Sequence, residues 1–373
     1  LTSMVIVAFL CAFWLFVALT GLGIKADPYF WNEAGVPLLG LQLILSLLLV
    51  AVASRLVFSR DPANRRRAMD WGVVILVWLI AFILWLFTSM PRSYFAPGPY
   101  PPNNIFYPYS DAEHYDYSAQ YLLLGQGISN GNFFDKPAYA FILALLHLIA
   151  GQNYVLLVSL QVALLALVQV GLYLLGKNLH SRQLGLLVAL MAIFQQRNAI
   201  AATLEIQVSH SKLLLSEYPT ALGLIFFCLF MVRWFQMPEK RPSLLLVGGG
   251  ALGLTSLIRP NALLLAPMMV LLILIHYRRR FKRGLLVSVL FMLVFGLTIL
   301  PWNLVIPKGF QAPYLIVKAK ALFDTRYRLL EFKSSNIDSP NDTFSIPVKK
   351  ALKLAAPAKI IAPDHYVDEE NEE

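Results

Sequence analysis

Long apolar segments recur along most of this 373-residue chain, and short basic segments separate them. A helix needs about 20 apolar residues to cross the hydrocarbon core of a bilayer. Six runs have a suitable length: 3–24, 37–58, 71–90, 153–175, 213–235 and 284–302. Only 14% of the residues are charged, whereas roughly 25% is usual for soluble domains. The chain is therefore predicted to be an all-α polytopic membrane protein.

The basic segments between the apolar runs predict how the chain is oriented. They are 55–67, 177–182, 233–241 and 277–283. Lysine and arginine in short loops favour the cytoplasmic side of a membrane. All four segments can share that side only if an even number of spans separates each pair. The net charge of +10 therefore reflects membrane orientation, and it does not indicate a nucleic-acid partner.

This requirement resolves three less clear apolar runs. The run 184–200 must cross the membrane, whereas the shortest run, 137–150, is predicted to re-enter or to lie along the outer interface. The run 244–276 is too long for one span, and it breaks at Arg259-Pro260-Asn261. Two helices that meet at this break keep both basic flanks inside. One long proline-kinked helix is the alternative, and it would put a basic loop outside.

The resulting topology has nine transmembrane helices, with the N-terminus inside and the C-terminus outside. Residues 1–70 hold two spans that precede a transmembrane core at 71–302, and the core carries an outer loop at 91–152. Residues 303–373 form an outer tail that we expect to be truncated or partly disordered. Three consecutive glycines, Gly248 to Gly250, lie inside an apolar span, where they favour close helix packing over phosphate binding.

The first outer loop concentrates acidic residues in an otherwise apolar chain. The stretch YSDAEHYDYSAQYLLLGQG places Asp111, Glu113 and Asp116 within six positions. Ser110 and Glu113 fit a capping box that starts a helix at Asp111. Capping is compatible with catalysis, because the first turn of a helix also presents its carboxylates to the space beyond it. His114 and Asp116 are expected to be solvated neighbours.

Further polar residues share the outer side in this topology. They are Lys136, Arg197, His210, Glu217 and Arg259. Arg259 and Glu217 stand at or near membrane depth, where ionisable side chains are costly and usually serve a site. Alternatives stay open for three of them. Arg259 can be a snorkelling interfacial arginine, Glu217 can simply open a helix, and His210 can be an ordinary loop residue.

Five stretches follow one another in a recognisable order. They are DAEHYDYSAQYLLLGQG, FFDKPAYAFILALLHLIAGQNY, LLLSEYPTALGLIFF, LTSLIRPNALLLAPM and ILPWNLVIPKGF. Together they resemble the GT-C superfamily of membrane glycosyltransferases, and most closely the bacterial relatives of protein O-mannosyltransferases and of lipid A aminoarabinose transferases. The resemblance covers about 71–310. It also implies that 137–150 lies along the outer membrane face.

The chain departs from this family pattern in two ways. Family members often carry arginine shortly after Pro-Trp, whereas Leu304, Val305 and Ile306 follow Asn303 here. The relatives usually have more spans after this point, whereas this chain has two extra spans before the acidic loop. The chain is therefore expected either to be truncated or to need a partner subunit.

The resemblance implies transfer of a sugar from a polyprenyl phosphate to a hydroxyl on a lipid, a glycan or a protein. Asp111 falls on the family's acidic position and would be the general base. Glu113 would orient the acceptor, or share Mg²⁺ or Mn²⁺ with Asp111. Arg259 is the main candidate to hold the leaving phosphate, because guanidinium grips phosphate oxygens in bidentate fashion. Direct displacement would invert the anomeric carbon.

Weaker candidates complete the predicted site. Arg197 and Lys136 are further phosphate ligands, and Tyr115, Glu217 and His210 are further substrate-binding residues. The sequence contains no Walker loop and no dinucleotide fingerprint, as expected if a lipid carries the sugar. It also contains no Cys/His cluster that would suggest zinc. Rival classes are a membrane polysaccharide ligase or polymerase, which usually relies on a late outer loop, and a transporter or non-catalytic subunit of a larger complex.

Overall fold

Helices make up the regular structure of the described residues. A computed structural model describes residues 36–58, 66–92, 96–97, 108–126, 136–202 and 208–304, with the single residues 8, 9, 12, 15 and 316. No sheet forms within these ranges. The all-α prediction is therefore confirmed for this part of the chain. The predicted span 3–24 and the tail 303–373 fall almost entirely outside it.

The helices follow the apolar segments of the sequence. In chain order they are α1 (Gly40–Ala53), α2 (Arg66–Phe87), α3 (Asp111–Leu123), α4 (Pro137–Ala150), α5 (Tyr154–Leu165), α6 (Leu167–Leu179), α7 (Arg182–Ala201), α8 (Glu217–Gln236), α9 (Ser243–Ile258), α10 (Leu265–His276) and α11 (Phe281–Asn303). A π-helical turn at Ser54–Phe58 extends α1, and a 3-10 turn at Pro260–Leu264 joins α9 to α10.

Six helical stretches within the described residues are long and apolar enough to cross a membrane. They are Gly40–Phe58, Met69–Phe87, Tyr154–Leu179, Arg182–Ala201, Glu217–Gln236 and Phe281–Asn303. Each coincides with a predicted span, and together they support a multi-pass membrane protein. The apolar helices α4 and α9 and the stretch Pro260–His276 are shorter. The total of nine spans and their orientation stay predictions.

Charged contacts join the first two basic segments at one end of the helices, which we call the basic end. Asp70 of α2 binds Lys177, at 2.5 Å, and Arg182, at 3.0 Å. The guanidinium carbon of Arg182 also lies 5.9 Å from the ring centre of Phe58, at the end of the π-helical turn. The segments that precede α2 and follow α6 therefore meet.

The other two basic segments reach the same end. Gln236 Nε2, at the end of α8, donates a hydrogen bond to the backbone oxygen of Asn178, at 2.9 Å. Glu239 in turn binds Arg283 of α11 at 2.8 Å. These contacts place all four basic segments together, as the parity argument requires.

The opposite end, which we call the α3 end, holds a buried apolar cluster. The cluster joins Tyr115 of α3, Tyr154 of α5, Leu214 and Ile258, with Met90 packed against it. The chain therefore leaves α2 and enters α5 at the same end. Since α3 and α4 lie between these two points, this geometry agrees with the prediction that 137–150 does not cross the membrane.

The run 244–276 is divided, as predicted, into two helices that return to one side. α9 ends at Ile258, and α10 begins after the 3-10 turn that opens with Pro260. At the end of α10, the rings of Tyr277 and Trp234 have centres 6.4 Å apart, which returns the chain to the basic end. The alternative of one long kinked helix is therefore wrong.

Small residues let the helices approach closely. A Cβ atom on Gly248 would overlap Met231 of α8, and one on Gly249 would lie 2.9 Å from the backbone oxygen of Phe291 in α11. Transmembrane interfaces use small residues in this way. The prediction that the triple glycine serves helix packing is confirmed at these two positions.

Candidate active site at the α3 end

The helix that carries the acidic residues starts with a strained backbone. Ser110 has φ 59° and ψ −128°, and it is the sole non-glycine residue with positive φ in the described part of the chain. An N-cap serine ordinarily has an extended backbone that brings its side-chain oxygen to the first turn. Ser110 makes no such hydrogen bond. The predicted capping box is therefore wrong. Strain of this kind costs about 1–3 kcal/mol and clusters at functional sites.

Asp111 is joined to a lysine through a tyrosine. Its side chain is exposed, and Tyr115 Oη donates a long hydrogen bond to Asp111 Oδ2, at 3.4 Å. The ammonium of Lys136 donates to the same tyrosine hydroxyl and lies 4.2 Å from the ring centre. Tyr115 is itself 3% exposed. The packed ring therefore sets the positions of an accessible carboxylate and a nearby cation.

Glu113 serves a different side of α3. Residues two positions apart on a helix do not face each other. Asp111 pairs with Tyr115, whereas a hydrogen bond to Glu113, together with partial burial, raises the pKa of Tyr117. A metal ion shared by Asp111 and Glu113 does not fit this arrangement. No group of three His, Cys, Asp or Glu residues that could hold a metal occurs within the described residues.

An ion pair between Arg259 and Glu217 joins the ends of α9 and α8. Arg259 follows the last residue of α9, and Glu217 is the first residue of α8. Each charge is favourable at its helix end, because the helix dipole is negative at the C-terminus and positive at the N-terminus. The second carboxylate oxygen of Glu217 is buried and has no hydrogen-bond partner among the described residues. One of the two carboxylate oxygens of Glu217 is therefore not used in hydrogen bonding within the described residues.

This ion pair lies at the same end as Asp111. Ile258, which precedes Arg259, packs in the buried cluster that contains Tyr115 and Ala112. Trp302, near the end of α11, packs against Ala140 of α4 in a smaller cluster. These contacts gather the acidic helix, the break after α9 and the end of α11 into one region.

The structure corrects the expectation that Asp116 is solvated. Asp116 is 2% exposed and accepts hydrogen bonds from Tyr154, at 2.6 Å, and from Gln120, at 2.7 Å. His147 Nε2 lies 2.8 Å from its other oxygen. Burial disfavours a charged His147, but the hydrogen bonds to Asp116 and to the Gly151 carbonyl outweigh it and raise its pKa. This network fastens α3 to α4 and α5. His114 is exposed, as expected.

A buried glutamine fixes the turn that precedes α8. Gln161 of α5 donates to the backbone oxygens of Ser211, at 2.9 Å, and Leu213, at 2.8 Å. Its oxygen accepts from the hydroxyl of Tyr139 in α4, at 2.9 Å. The same side chain therefore positions both the turn and the helix that follows Lys136.

Two ionisable residues in this turn, the predicted substrate ligand His210 and its neighbour Lys212, make structural contacts. His210 is completely buried, and burial, reinforced by the charge of Lys212, lowers its pKa to about 3. Lys212 Nζ donates to the backbone oxygens of Leu86, at 2.9 Å, and Thr88, at 2.6 Å. A lysine near these last carbonyls stabilises the end of α2. No part of His210 faces the solvent, so its predicted contact with substrate would require a rearrangement.

The predicted residues are only partly brought together. Tyr115 connects Asp111 with Lys136, and Arg259 contacts Glu217. Arg197 is half-buried near the end of α7, and no hydrogen bond or ion pair links it to any of these five residues within the part of the chain that the structure describes. Its neighbour Asn198 instead binds Gln42 of α1, at 2.8 Å.

Sequence reasoning missed the residues that hold this region in place. They are His147, Tyr154, Gln120 and Gln161. A signal was present, because a lone histidine and a glutamine inside apolar helices need buried partners. The identity of those partners was not readable, since Asp116 lies 31 positions before His147.

Comparison of the chain with protein-family models, curated proteins and solved structures finds no match. The resemblance to membrane glycosyltransferases therefore rests on the order of the sequence stretches and stays a prediction.

Proposed function

We propose that this protein is an integral membrane glycosyltransferase that moves a sugar from a polyprenyl-phosphate donor to an acceptor hydroxyl. The observation that supports it best is the exposed carboxylate of Asp111, linked through Tyr115 to Lys136, at the end where Arg259 pairs with Glu217. Accessible acid and cations thus share one end of a set of membrane helices.

The orientation follows from the basic end. Its lysines and arginines favour the cytoplasm, so the α3 end faces the extracytoplasmic side of the cell membrane. In this topology the chain crosses nine times, and α3 and α4 lie at the outer interface. The lipid phosphate of a polyprenyl donor lies at that depth, and the acceptor is a lipid, a glycan or a protein on the same side.

Asp111 acts as the general base. Its carboxylate takes the proton of the acceptor hydroxyl as the oxygen attacks the anomeric carbon. The bond between that carbon and the phosphate oxygen breaks, and the phosphate leaves with the electron pair. The anomeric configuration is inverted. A positioned base typically contributes 10²–10⁴-fold to the rate.

Arg259 stabilises the leaving phosphate, and Glu217 positions the guanidinium of Arg259. A guanidinium has five N–H donors, so its contact with one oxygen of Glu217 leaves donors for phosphate. The main role of Glu217 is therefore to position Arg259, and contact with the substrate is secondary. Lys136 supplies a second positive charge beside Tyr115. Glu113 contacts the acceptor from the other side of α3, without a shared metal.

The test uses the full chain in bilayer discs with a panel of polyprenyl-phosphate sugars. Asp111→Asn should keep donor binding and lose turnover by about 10²–10⁴-fold. Glu113→Gln should mainly raise the KM for the acceptor, with a much smaller loss of turnover. His114→Gln, at an exposed position of the same helix, is the control and should turn over like the unchanged protein. Arg259→Ala should weaken donor binding, and Arg259→Lys should restore part of it.

A non-catalytic membrane subunit is the alternative outcome. If the intact chain binds none of the donors, or if Asp111→Asn turns over like the unchanged protein, the proposed mechanism is wrong. A partner subunit would then have to supply the chemistry. If Arg259→Ala still binds the donor, Arg259 is not the phosphate ligand, but the role of Asp111 as general base is unaffected.

A further inference from the structure

A surface pocket lies at the basic end, on the opposite side of the molecule from Asp111. Its volume is about 430 Å³. It is formed by the connection after α8 and by the connection between α10 and α11. Its lining residues are Pro238, Glu239, His276, Tyr277, Arg278, Arg279 and Arg280.

The pocket carries a surplus of positive charge. Glu239 is its single lining carboxylate, and it is bound by Arg283, at 2.8 Å, and by Arg280, at 3.7 Å. Arg278 and Arg279 are exposed and form no ion pair within the described part of the chain. Since one carboxylate already has two arginine partners, the two remaining arginines are available to an anion.

Exposed apolar side chains border this charged pocket. Ile275 is 54% exposed, Phe281 60% and Leu285 52%. They belong to the ends of α10 and α11, next to the connection that supplies the arginines. An apolar surface of this kind on membrane helices contacts lipid tails. The arginines therefore stand where the hydrocarbon region ends.

We infer that this pocket binds the headgroup phosphate of an anionic membrane phospholipid. Arg278 and Arg279 donate hydrogen bonds to the phosphate oxygens, because guanidinium matches phosphate in a bidentate geometry. The acyl chains lie along Ile275, Phe281 and Leu285. Basic pockets beside membrane helices recognise anionic headgroups in this manner. A zwitterionic lipid is bound less well, since its own cation faces the excess of arginine.

The experiment measures lipid binding to the full chain in a mild detergent by native mass spectrometry. Phosphatidylglycerol is titrated and compared with phosphatidylcholine of the same chain length. Arg278→Ala combined with Arg279→Ala should weaken phosphatidylglycerol binding at least about fivefold. Lys240→Ala combined with Arg241→Ala removes the same charge from the same end, outside the pocket lining, and should change binding little.

Each other outcome overturns the inference. Equal losses in the two double variants would mean that overall charge, and not this pocket, attracts the lipid. An unchanged affinity in the Arg278/Arg279 variant would remove the pocket from lipid binding. Displacement of phosphatidylglycerol by millimolar inorganic phosphate would identify a site for free phosphate. Sugar transfer at the α3 end is measured separately, so failure of either proposal leaves the other standing.

Discussion

The two ends of the molecule use charge in opposite ways. At the α3 end, Asp116 and His147 are buried and each has defined partners across several helices. At the basic end, Glu239 and Arg283 are exposed and pair at the surface. Buried groups position their neighbours, because an unmet hydrogen bond there is costly, whereas exposed pairs contribute little to stability. The first end can therefore hold a fixed geometry, which the proposed catalysis requires, whereas the second end offers exposed charge, which the proposed orientation and lipid binding require.

Asp116→Ala tests the contrast between the two ends most directly. It would leave His147, Tyr154 and Gln120 without their common acceptor, and we expect a loss of about 3–5 kcal/mol in the free energy of unfolding. Unfolding in detergent, followed by circular dichroism, measures it. His114→Ala changes an exposed residue on the same helix and should stay within about 0.5 kcal/mol. Equal effects of the two changes would contradict a structural role for the network.

Gln161→Leu should have the next largest effect. It would leave the Tyr139 hydroxyl and the carbonyls of Ser211 and Leu213 without partners, for a loss of about 2–3 kcal/mol. Gln152→Leu, at an exposed position of the same end, is the matched control. If both variants unfold at the temperature of the unchanged protein, Gln161 does not hold the turn before α8.

The buried His210 predicts a pH dependence. Its pKa is 6.5 ordinarily and about 3 in the folded chain, since burial disfavours its charged form. Below pH 6.5, His210 therefore binds a proton in the unfolded chain but not in the folded chain. This contribution to stability is complete above pH 6.5 and falls by about 1.4 kcal/mol per pH unit towards pH 3.

The measurement compares unfolding temperatures from pH 7.5 to pH 5 with those of His210→Asn. The asparagine oxygen can replace Nδ1 as acceptor for the backbone N–H of Lys212. The variant should lose stability less steeply on acidification. His147 has a raised pKa, so its contribution is largest below pH 6.5 and is lost as the pH rises through its folded pKa. Parallel slopes in the two proteins would mean that His210 is protonated when folded.

The smallest expected effect belongs to the basic end. Asp70→Asn would weaken the contacts with Lys177 and Arg182, which are about a quarter exposed or less. We expect a loss of about 1 kcal/mol, reduced further at high ionic strength by screening. Unfolding at low and at high salt measures this difference. A loss as large as that of Asp116→Ala would erase the contrast between the two ends.

Much of the fold was readable from local patterns. The spans 37–58, 71–90, 184–200 and 284–302 are helical over most of their length, because each is a continuous apolar run of about 20 residues. The break at Arg259-Pro260 was readable too, since proline interrupts the helical hydrogen bonds. The backbone of Ser110 was not predictable, because its positive φ contradicts the extended conformation that an N-cap serine ordinarily adopts.

The sequence by itself determined the membrane helices, the grouping of the basic segments and the position of Asp111 at the start of α3. These follow from hydropathy, charge and local spacing, which act over a few tens of residues. Only the tertiary structure decided that Asp116 is buried, that Tyr115 links Asp111 to Lys136, and that Glu217 holds Arg259. Except for the contact between Asp111 and Tyr115 within one helix turn, these pairings join residues from different elements, and only the packing of the helices brings them within hydrogen-bonding distance.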